Sequence, residues 1–281
     1  FMLLAHQEDD QMSVDFSALC LAVGLPAQAS ELASGRIHSE PFGMEAPPNV
    51  YGGYPPAAVP LWGQDLSCWA AWKHVLVPSR SVSFVYFHPE DGYRPEEVAR
   101  TWQQFAVFSA TCIASLEPDR AVKIEKLKLL GLDESDVAAI IDAWMPDIMD
   151  IGSHPVFRRN RPLKFVDENE AYDGEFPRNG VAESSRLPIT CGLEYGLGGP
   201  STNLDLTSAP WLLPNGGPRG FEMAMGKGDL SGAWLSLNSP GWLFMDACVA
   251  MTDLRTKAAE PMLDAIAETW LSVHAEMPGG Y

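Results

Sequence analysis

The chain of 281 residues lacks the short patterns that place catalytic or ligand-binding residues side by side. It contains no CxxC pair, no GxGxxG or GxxxxGK[ST] loop, no GxSxG elbow and no HExxH helix. Those patterns create zinc sites, phosphate-binding loops, exposed serine nucleophiles and metalloprotease centres. The sequence therefore predicts no metal, no nucleotide or flavin cofactor, and no nucleophile presented by a local motif.

Cysteine is scarce, and its number is odd. The five residues are spread along the whole chain: Cys20, Cys68, Cys112, Cys191 and Cys248. An odd number without close spacing does not indicate a disulfide framework. Because free cysteine behaves as a small buried hydrophobe, we expect five reduced and mostly buried thiols.

Long apolar runs are absent too. No stretch approaches the roughly 20 residues that a membrane-spanning helix needs. Near the N-terminus, Glu8, Asp9 and Asp10 lie where a secretory signal would carry positive charge followed by an apolar run. These features predict a soluble, cytoplasmic protein that does not insert into a membrane.

Basic residues are few relative to acidic ones. The chain has 19 Lys and Arg against 37 Asp and Glu, a formal charge of −18. Nucleic acid binding needs many Lys and Arg side chains, so this charge argues against a nucleic acid partner and favours a basic protein partner. The one basic cluster comprises Arg158, Arg159, Arg161 and Lys164. Nearby prolines predict that it is a loop, either solvated or binding a phosphate or an acidic group.

The segment 131–150 concentrates the negative charge. It holds six carboxylates and no base, and Asp133 is a good N-cap for a helix there. The apolar stripe of that helix is Val137, Ile140, Ile141, Trp144 and Ile148. The carboxylates lie mainly off the stripe, so they either keep the protein soluble or attract a basic partner. Candidate partner-binding residues in this segment are Glu134, Asp136 and Asp142.

The order of predicted elements indicates an α+β fold. Helices are predicted near 14–23, from Pro95 with Trp102 and Phe105 buried, from Asp133, and over 260–274. The segments 72–77 and 82–87 predict a strand hairpin, and further strands are predicted at 163–166, 189–193, 221–225, 233–237 and 242–249. We expect a mixed, mainly antiparallel sheet with flanking helices. The chain 1–281 is predicted to be one domain, with candidate internal boundaries near 150–162 or 196–220, and no oligomeric state is indicated.

Aromatic residues gather around a proline-rich segment. Residues 41–60 are rich in proline and glycine, which predicts an extended strap. The aromatic residues that can cluster beneath it are Tyr54, Trp62, Trp69, Trp72 and Phe84. Such a cluster is either an ordinary corner of the core or a groove for a ligand or partner, with Tyr54, Trp62 and Trp72 as candidate contacts.

Residues 50–115 contain a set of short motifs that consist mostly of aromatic residues and prolines. They are Tyr54-Pro55-Pro56, Val59-Pro60-Leu61-Trp62, Trp72-Lys73-His74, Arg80, Phe84-Val85, and Glu96-Glu97-Val98-Ala99-Arg100 with Gln104. This stretch resembles uncharacterised bacterial proteins near the SUKH superfamily, which contains immunity proteins of toxin systems. The resemblance implies a protein that binds a partner.

Three functions are consistent with these features. The first is a non-catalytic binding protein, in its sharpest form an immunity or antitoxin-like protein that blocks a basic effector domain. The second is a hydrolase-type enzyme whose carboxylates converge only in the fold, since such pairs meet in space and not in sequence. The third is a structural or assembly component whose acidic surface only gives solubility.

Overall fold

The computed structural model describes residues 14–37, 44, 47, 53–64, 67–78, 80–88, 95–143, 155–162, 216–239 and 241–281. These residues form an α+β fold, as predicted, with a four-stranded sheet and flanking helices. Among them, no helix has both the length and the apolar character required to cross a membrane. Their buried hydrophobic side chains form one connected cluster.

The elements follow the chain in three groups. Two helices come first: α1 (Phe16–Ala22) and α2 (Ala27–Ala33). The strands follow: β1 (Ala58–Gln64), β2 (Ser67–Trp72), β3 (Ser83–Phe87) and β4 (Glu96–Ala99). The remaining described elements are helices: α3 (Trp102–Leu116), α4 (Arg120–Leu129), α5 (Glu134–Ala143), α6 (Pro155–Asn160), α7 (Gly216–Lys227), α8 (Leu230–Leu237), α9 (Phe244–Ala258) and α10 (Pro261–His274).

The described sheet is an antiparallel meander in the order β1-β2-β3-β4. Its register places Trp69 opposite both Trp62 of β1 and Tyr86 of β3. Because side chains alternate between the faces of a strand, Cys68 and Trp72 belong to the opposite face from Trp69. Nearly all strand residues are buried, which shows that both faces of the sheet are covered.

Helix α3 covers the face that carries Trp69. It begins with a capping box, in which Thr101 accepts from the N–H of Gln104 and the Gln104 side chain accepts from the N–H of Thr101. The Phe84 ring of β3 stacks on Phe105 with ring centroids 4.7 Å apart. Helices α4, α5 and α6 pack on α3 in turn.

The N-terminal and C-terminal helices meet at the β1 side of the sheet. Helices α1 and α2 contact β1, and α1 also contacts α10. Helices α7 to α10 pack in succession against one another. The backbone of residues 279–281 bonds to residues 241–244, so the final residues of the chain hold the start of α9.

Several element predictions are confirmed. Helices are present at Phe16–Ala22, at Glu134–Ala143 with Asp133 capping its N-terminus, and at Pro261–His274. A strand occupies Ser83–Phe87, and it pairs antiparallel with the strand that precedes it. The predicted strands at 163–166 and 189–193 lie outside the described residues, as do Trp144, Ile148 and Cys191.

The predicted helix start at Pro95 is wrong. Residues Glu96–Ala99 form β4, which pairs with β3, and the helix begins only at Trp102. The helical spacing from Trp102 onward is real, whereas the charge pattern after Pro95 is not a helix start. The true signal was the Thr-x-x-Gln capping box at Thr101 and Gln104.

The first strand of the predicted hairpin is displaced along the chain. The pattern predicts residues 72–77, but the strand covers Ser67–Trp72, and residues 73–78 lie in the connection to β3. Strand β1, which extends out of the predicted irregular strap, was missed. A bulge between Pro60 and Trp62 accommodates the proline within β1.

Three predicted C-terminal strands are helices. Residues 221–225 lie in α7, 233–237 in α8, and 242–249 mostly in α9. In α8, Gly232, Ala233, Trp234, Ser236 and Leu237 are all buried. A short helix buried on almost every side has no polar face, so its sequence cannot be distinguished from a buried strand by periodicity.

Candidate partner-binding surfaces

The aromatic residues that were predicted to form one cluster contact different parts of the protein. Trp62 stacks on Trp69 with centroids 3.7 Å apart and planes 7° from parallel, and it also faces Phe108 of α3. Tyr54 instead meets the ring of His274 edge-on at 4.5 Å. Tyr54, Trp62 and Trp72 are all at most 3% exposed. None of the three presents an aromatic surface to a partner in this structure.

Tyr54 belongs to a buried hydrogen-bond network with the last helix. Its backbone N–H donates to Nε2 of His274 at 3.1 Å, and its carbonyl accepts from Nε1–H of Trp270 at 2.7 Å. Since Nε2 accepts, the neutral His274 ring carries its proton on Nδ1, which donates to the Trp270 carbonyl at 2.8 Å. The imidazole also stacks on the Trp270 indole, with centroids 4.4 Å apart.

The protonation state of His274 follows from this environment. The ring is fully buried, and burial lowers its pKa to about 4. Desolvation is the main cause, because it disfavours the charged imidazolium, and the bond to the Trp270 carbonyl only partly opposes it. His274 is therefore neutral near pH 7 and has a structural role in joining Tyr54 to α10.

The three candidate carboxylates on α5 have different surroundings. The side chains of Glu134 and Asp142 are 92% and 72% exposed. Asp136 is buried, and it accepts a hydrogen bond from the Arg159 guanidinium. Of the three, only Glu134 and Asp142 are therefore exposed, and the expectation that all three are surface charges is wrong for Asp136.

Basic residues from neighbouring helices face the acidic residues of α5. Lys128 Nζ lies 3.8 Å from Glu134, and the Arg120 guanidinium lies 3.4 Å from Asp142. The third base, Arg159, comes from α6, so the cluster predicted to be a loop contains a short helix. The segment has no base in its own sequence, but the fold supplies one to each of the three candidates.

The other buried carboxylates of the described part of the chain have partners of their own. Glu97 accepts from the Ser83 hydroxyl at 2.7 Å and from the Arg100 guanidinium at 3.2 Å. Glu117 accepts from the Lys126 ammonium at 2.6 Å. No group of three or more His, Cys, Asp or Glu residues in the described ranges is arranged to hold a metal ion.

The cysteines in the described ranges were expected to be reduced and mostly buried, and two of the four are buried. Cys20 and Cys68 are buried, while Cys112 and Cys248 are intermediate, and all four are free. Burial raises the pKa of the Cys20 thiol to about 12, and it also raises the pKa of Cys68. These two sulfurs remain protonated and unreactive at neutral pH.

A surface that sequence reasoning missed lies on α9. Leu243, Met245 and Val249 are 59%, 68% and 65% exposed, although each is large and apolar. The segment 242–249 was predicted to be a strand, which hid the arrangement of these residues. One signal was available: residues 242–251 carry more apolar side chains than a single buried helix face requires.

Comparisons of this chain with protein-family models, with curated proteins and with solved structures each find no match.

Proposed function

We propose that this protein acts by binding a basic protein partner, in the manner of a cytoplasmic immunity or antitoxin-like protein that covers a basic effector domain. The observation that carries the proposal is the negative charge of the chain, which has 37 acidic residues against 19 basic ones. The resemblance of residues 50–115 to proteins near the SUKH superfamily supports the same function. Catalysis is not needed for it, since covering the effector is sufficient.

The exposed carboxylates of α5 would contribute to the binding of a basic partner. Glu134 and Asp142 are exposed, and their bases Lys128 and Arg120 are themselves more than half exposed. Exposed ion pairs of this kind contribute about 0–1 kcal/mol each, so a partner can replace them at little cost. Their main effect on binding would be on the association rate, because long-range attraction steers the encounter.

The test uses the product of the neighbouring gene as the partner. We expect a complex with a basic domain of that product, and association measured by stopped-flow mixing should slow as salt is raised. The Debye length falls from roughly 10 Å at 0.1 M to roughly 3 Å at 1 M, which screens attraction between exposed charges. The double variant Glu134→Gln/Asp142→Asn should slow association several-fold at low salt.

Glu268→Gln/Glu276→Gln provides a matched control, because it also removes two exposed carboxylates, one in α10 and one just after it, both distant in sequence from α5. This control should alter the association rate less than the double variant does. Failure to form a complex, or an association rate that is unaffected by salt, would contradict the proposed function.

A further inference from the structure

We propose that the exposed face of α9 is a docking surface for a basic, amphipathic helical segment of the partner protein. This inference rests on the proposed function and locates the contact at a site distinct from α5. The face consists of the exposed residues that point to one side of the helix: Met245, Asp246, Val249, Thr252, Asp253 and Thr256. Leu243 adjoins it at the start of the helix.

The spacing along α9 combines apolar and acidic groups in one strip. Val249 follows Asp246 by three residues and precedes Asp253 by four, so all three lie along one side of the helix. Met245 is one turn before Val249 on the same side. The result is an exposed apolar pair, Met245 and Val249, bordered by two carboxylates.

Leu243, beside this apolar pair, departs from the usual choice of residue at a helix start. Leu243 occupies the N-cap of α9, and no side chain caps that end. Ser, Thr, Asp or Asn at this position would stabilise the helix, whereas leucine does not. Leu243 is also mostly exposed, so it gains little from the core in exchange. Departures from local rules without a structural gain are expected at functional sites.

The two carboxylates of the face have no basic partner among the described residues. Asp246 lies in the first turn, where it also favours the helix dipole, but Asp253 lies too far along the helix for that effect. The bases of α9 are engaged with the rest of the protein: Arg255 donates to Asp264 at 2.8 Å, and Lys257 contacts the Met225 carbonyl at 3.4 Å. Asp246 and Asp253 therefore remain available to external cations.

Charge complementarity selects the occupant. A second copy of this chain, docked through the same face about a two-fold axis, would bring the Asp246 and Asp253 carboxylates of the two copies near one another. Anionic lipid surfaces would repel the same carboxylates. A helix with an apolar stripe and flanking Lys or Arg matches both features, because its apolar residues cover Met245 and Val249 while its cations reach the carboxylates. Methionine is well suited to such contacts, since its flexible side chain adapts to a partner.

The experiment uses a fluorescein-labelled synthetic peptide of leucine and lysine, in which leucine recurs every three or four residues. Binding to the full chain is measured by fluorescence anisotropy, and a peptide with glutamate in place of lysine is the charge control. We expect the lysine peptide to bind and the glutamate peptide to bind at least about tenfold more weakly, since like charges then face each other.

Two variants test the face, and each has a matched control. Met245→Ser/Val249→Ser should weaken the lysine peptide about tenfold, because it removes the central apolar anchors. Asp246→Asn/Asp253→Asn should weaken it several-fold at low salt and less at high salt. The controls are Leu21→Ser/Val122→Ser, which alters exposed apolar residues on other helices, and Glu125→Gln/Glu268→Gln, which alters exposed acids elsewhere. Circular dichroism checks that every variant folds.

The outcomes separate this inference from the proposed function. Weakening by the α9 variants beyond that of their controls supports the α9 site. Equal effects of the α9 variants and their controls, together with weakening by Glu134→Gln/Asp142→Asn, would overturn the α9 site and leave the proposed function standing. If the lysine peptide does not bind, the α9 site is overturned, and the proposed function is still decided by complex formation with the product of the neighbouring gene. A parent protein that is dimeric by light scattering, and becomes monomeric on Met245→Ser/Val249→Ser, would assign the face to a second copy and overturn the inference.

Discussion

Nε2 of His274 accepts a hydrogen bond at 3.1 Å from the backbone N–H of Tyr54, a residue 220 positions earlier in the chain. This bond connects the segment that leads into the sheet to the last helix. The aromatic rings of Trp270 and Phe244 enclose the same imidazole, with centroids 4.4 and 5.0 Å from it. The segment that precedes β1 and the last described helix are therefore coupled through one neutral histidine.

Protonation of His274 should destabilise the protein in acid. The pKa is about 4 in the folded state against 6.5 for an ordinary histidine, so the unfolded chain binds more protons between these pH values. The contribution of His274 to the free energy of unfolding is complete above pH 6.5 and is lost as the pH falls to 4, and it amounts to about 3 kcal/mol at most. Urea unfolding at pH 7, 6, 5 and 4 measures this loss.

The variant His274→Phe removes the titrating group. Its unfolding free energy should be lower than that of the parent at pH 7, because the bond to Tyr54 is lost, and it should depend less on pH between 6.5 and 4. The same measurement on His88→Gln, at a partly exposed position, is the control. An identical pH dependence in His274→Phe and the parent would show that His274 does not titrate as proposed.

Adding one methyl group at Gly53 should disturb the core beside this network. A Cβ at Gly53 would lie 1.8 Å from the Phe244 ring, which is itself 1% exposed and packed against His274. Because the ring has little room to move, Gly53→Ala should cost about 1–3 kcal/mol of unfolding free energy.

Gly226 is the matched site, because a Cβ there meets nothing within 4 Å and the residue is exposed in α7. Gly226→Ala should be neutral or stabilise by about 0.5–1 kcal/mol through helix propensity. Thermal melts of both variants test the pair, and equal melting temperatures would contradict the packing of Gly53 against Phe244.

Asp136 should matter for stability and not for partner attraction. Its buried carboxylate accepts from Arg159, and loss of one member of such a pair leaves the other without its counter-charge. Since the Arg159 side chain is 59% exposed, water compensates in part, and we expect Asp136→Asn to cost about 1–2 kcal/mol.

Glu134→Gln, on the same helix but almost fully exposed, is the control for Asp136. Chemical denaturation should show the parent midpoint for Glu134→Gln and a lower midpoint for Asp136→Asn. If the two midpoints were equal, the ion pair between α5 and α6 would contribute nothing measurable.

Two aromatic residues of α3 should differ in their contribution to stability. Phe105 is completely buried and stacks on Phe84, so Phe105→Ala should cost about 3–5 kcal/mol. Trp102 is mostly buried too, as predicted, but less completely than Phe105, and its indole N–H donates to the Leu130 carbonyl at 3.2 Å. Trp102→Ala should therefore cost less than Phe105→Ala, which urea unfolding can measure directly. A larger loss for Trp102→Ala would show that the contact with Leu130 is more important than ring burial.

Local signals in the sequence determined the parts of the fold that have strong end markers. Pro261 at the first turn and the N-cap Asp133 identified the starts of α10 and α5, because caps satisfy backbone N–H groups through residues adjacent in sequence. The acidic composition likewise follows from the sequence alone, and so does the absence of local catalytic motifs.

Only the tertiary structure determined which segments are buried on all sides. Trp234 in α8 was assigned to a strand, because a segment enclosed by neighbours loses the polar face that periodicity depends on. Val98 in β4 was assigned to a helix, because Pro95 and the two glutamates that follow it have the composition of a helix start. The charges that surround α5 were likewise determined only by the tertiary structure. The bases that face Glu134, Asp136 and Asp142 come from α4 and α6, so the local sequence of α5 suggests three carboxylates without a basic neighbour, whereas the fold gives each of them one.

The candidate surface on α9 shows the same division. Its residues are visible in the sequence, but their exposure depends on which side of the helix faces α8 and α10. Packing against those helices buries Ala247, Ala250, Met251 and Leu254 and leaves Met245 and Val249 outside. Sequence determines which residues are apolar, whereas contacts between elements distant in the chain decide which of them water, or a partner, can reach.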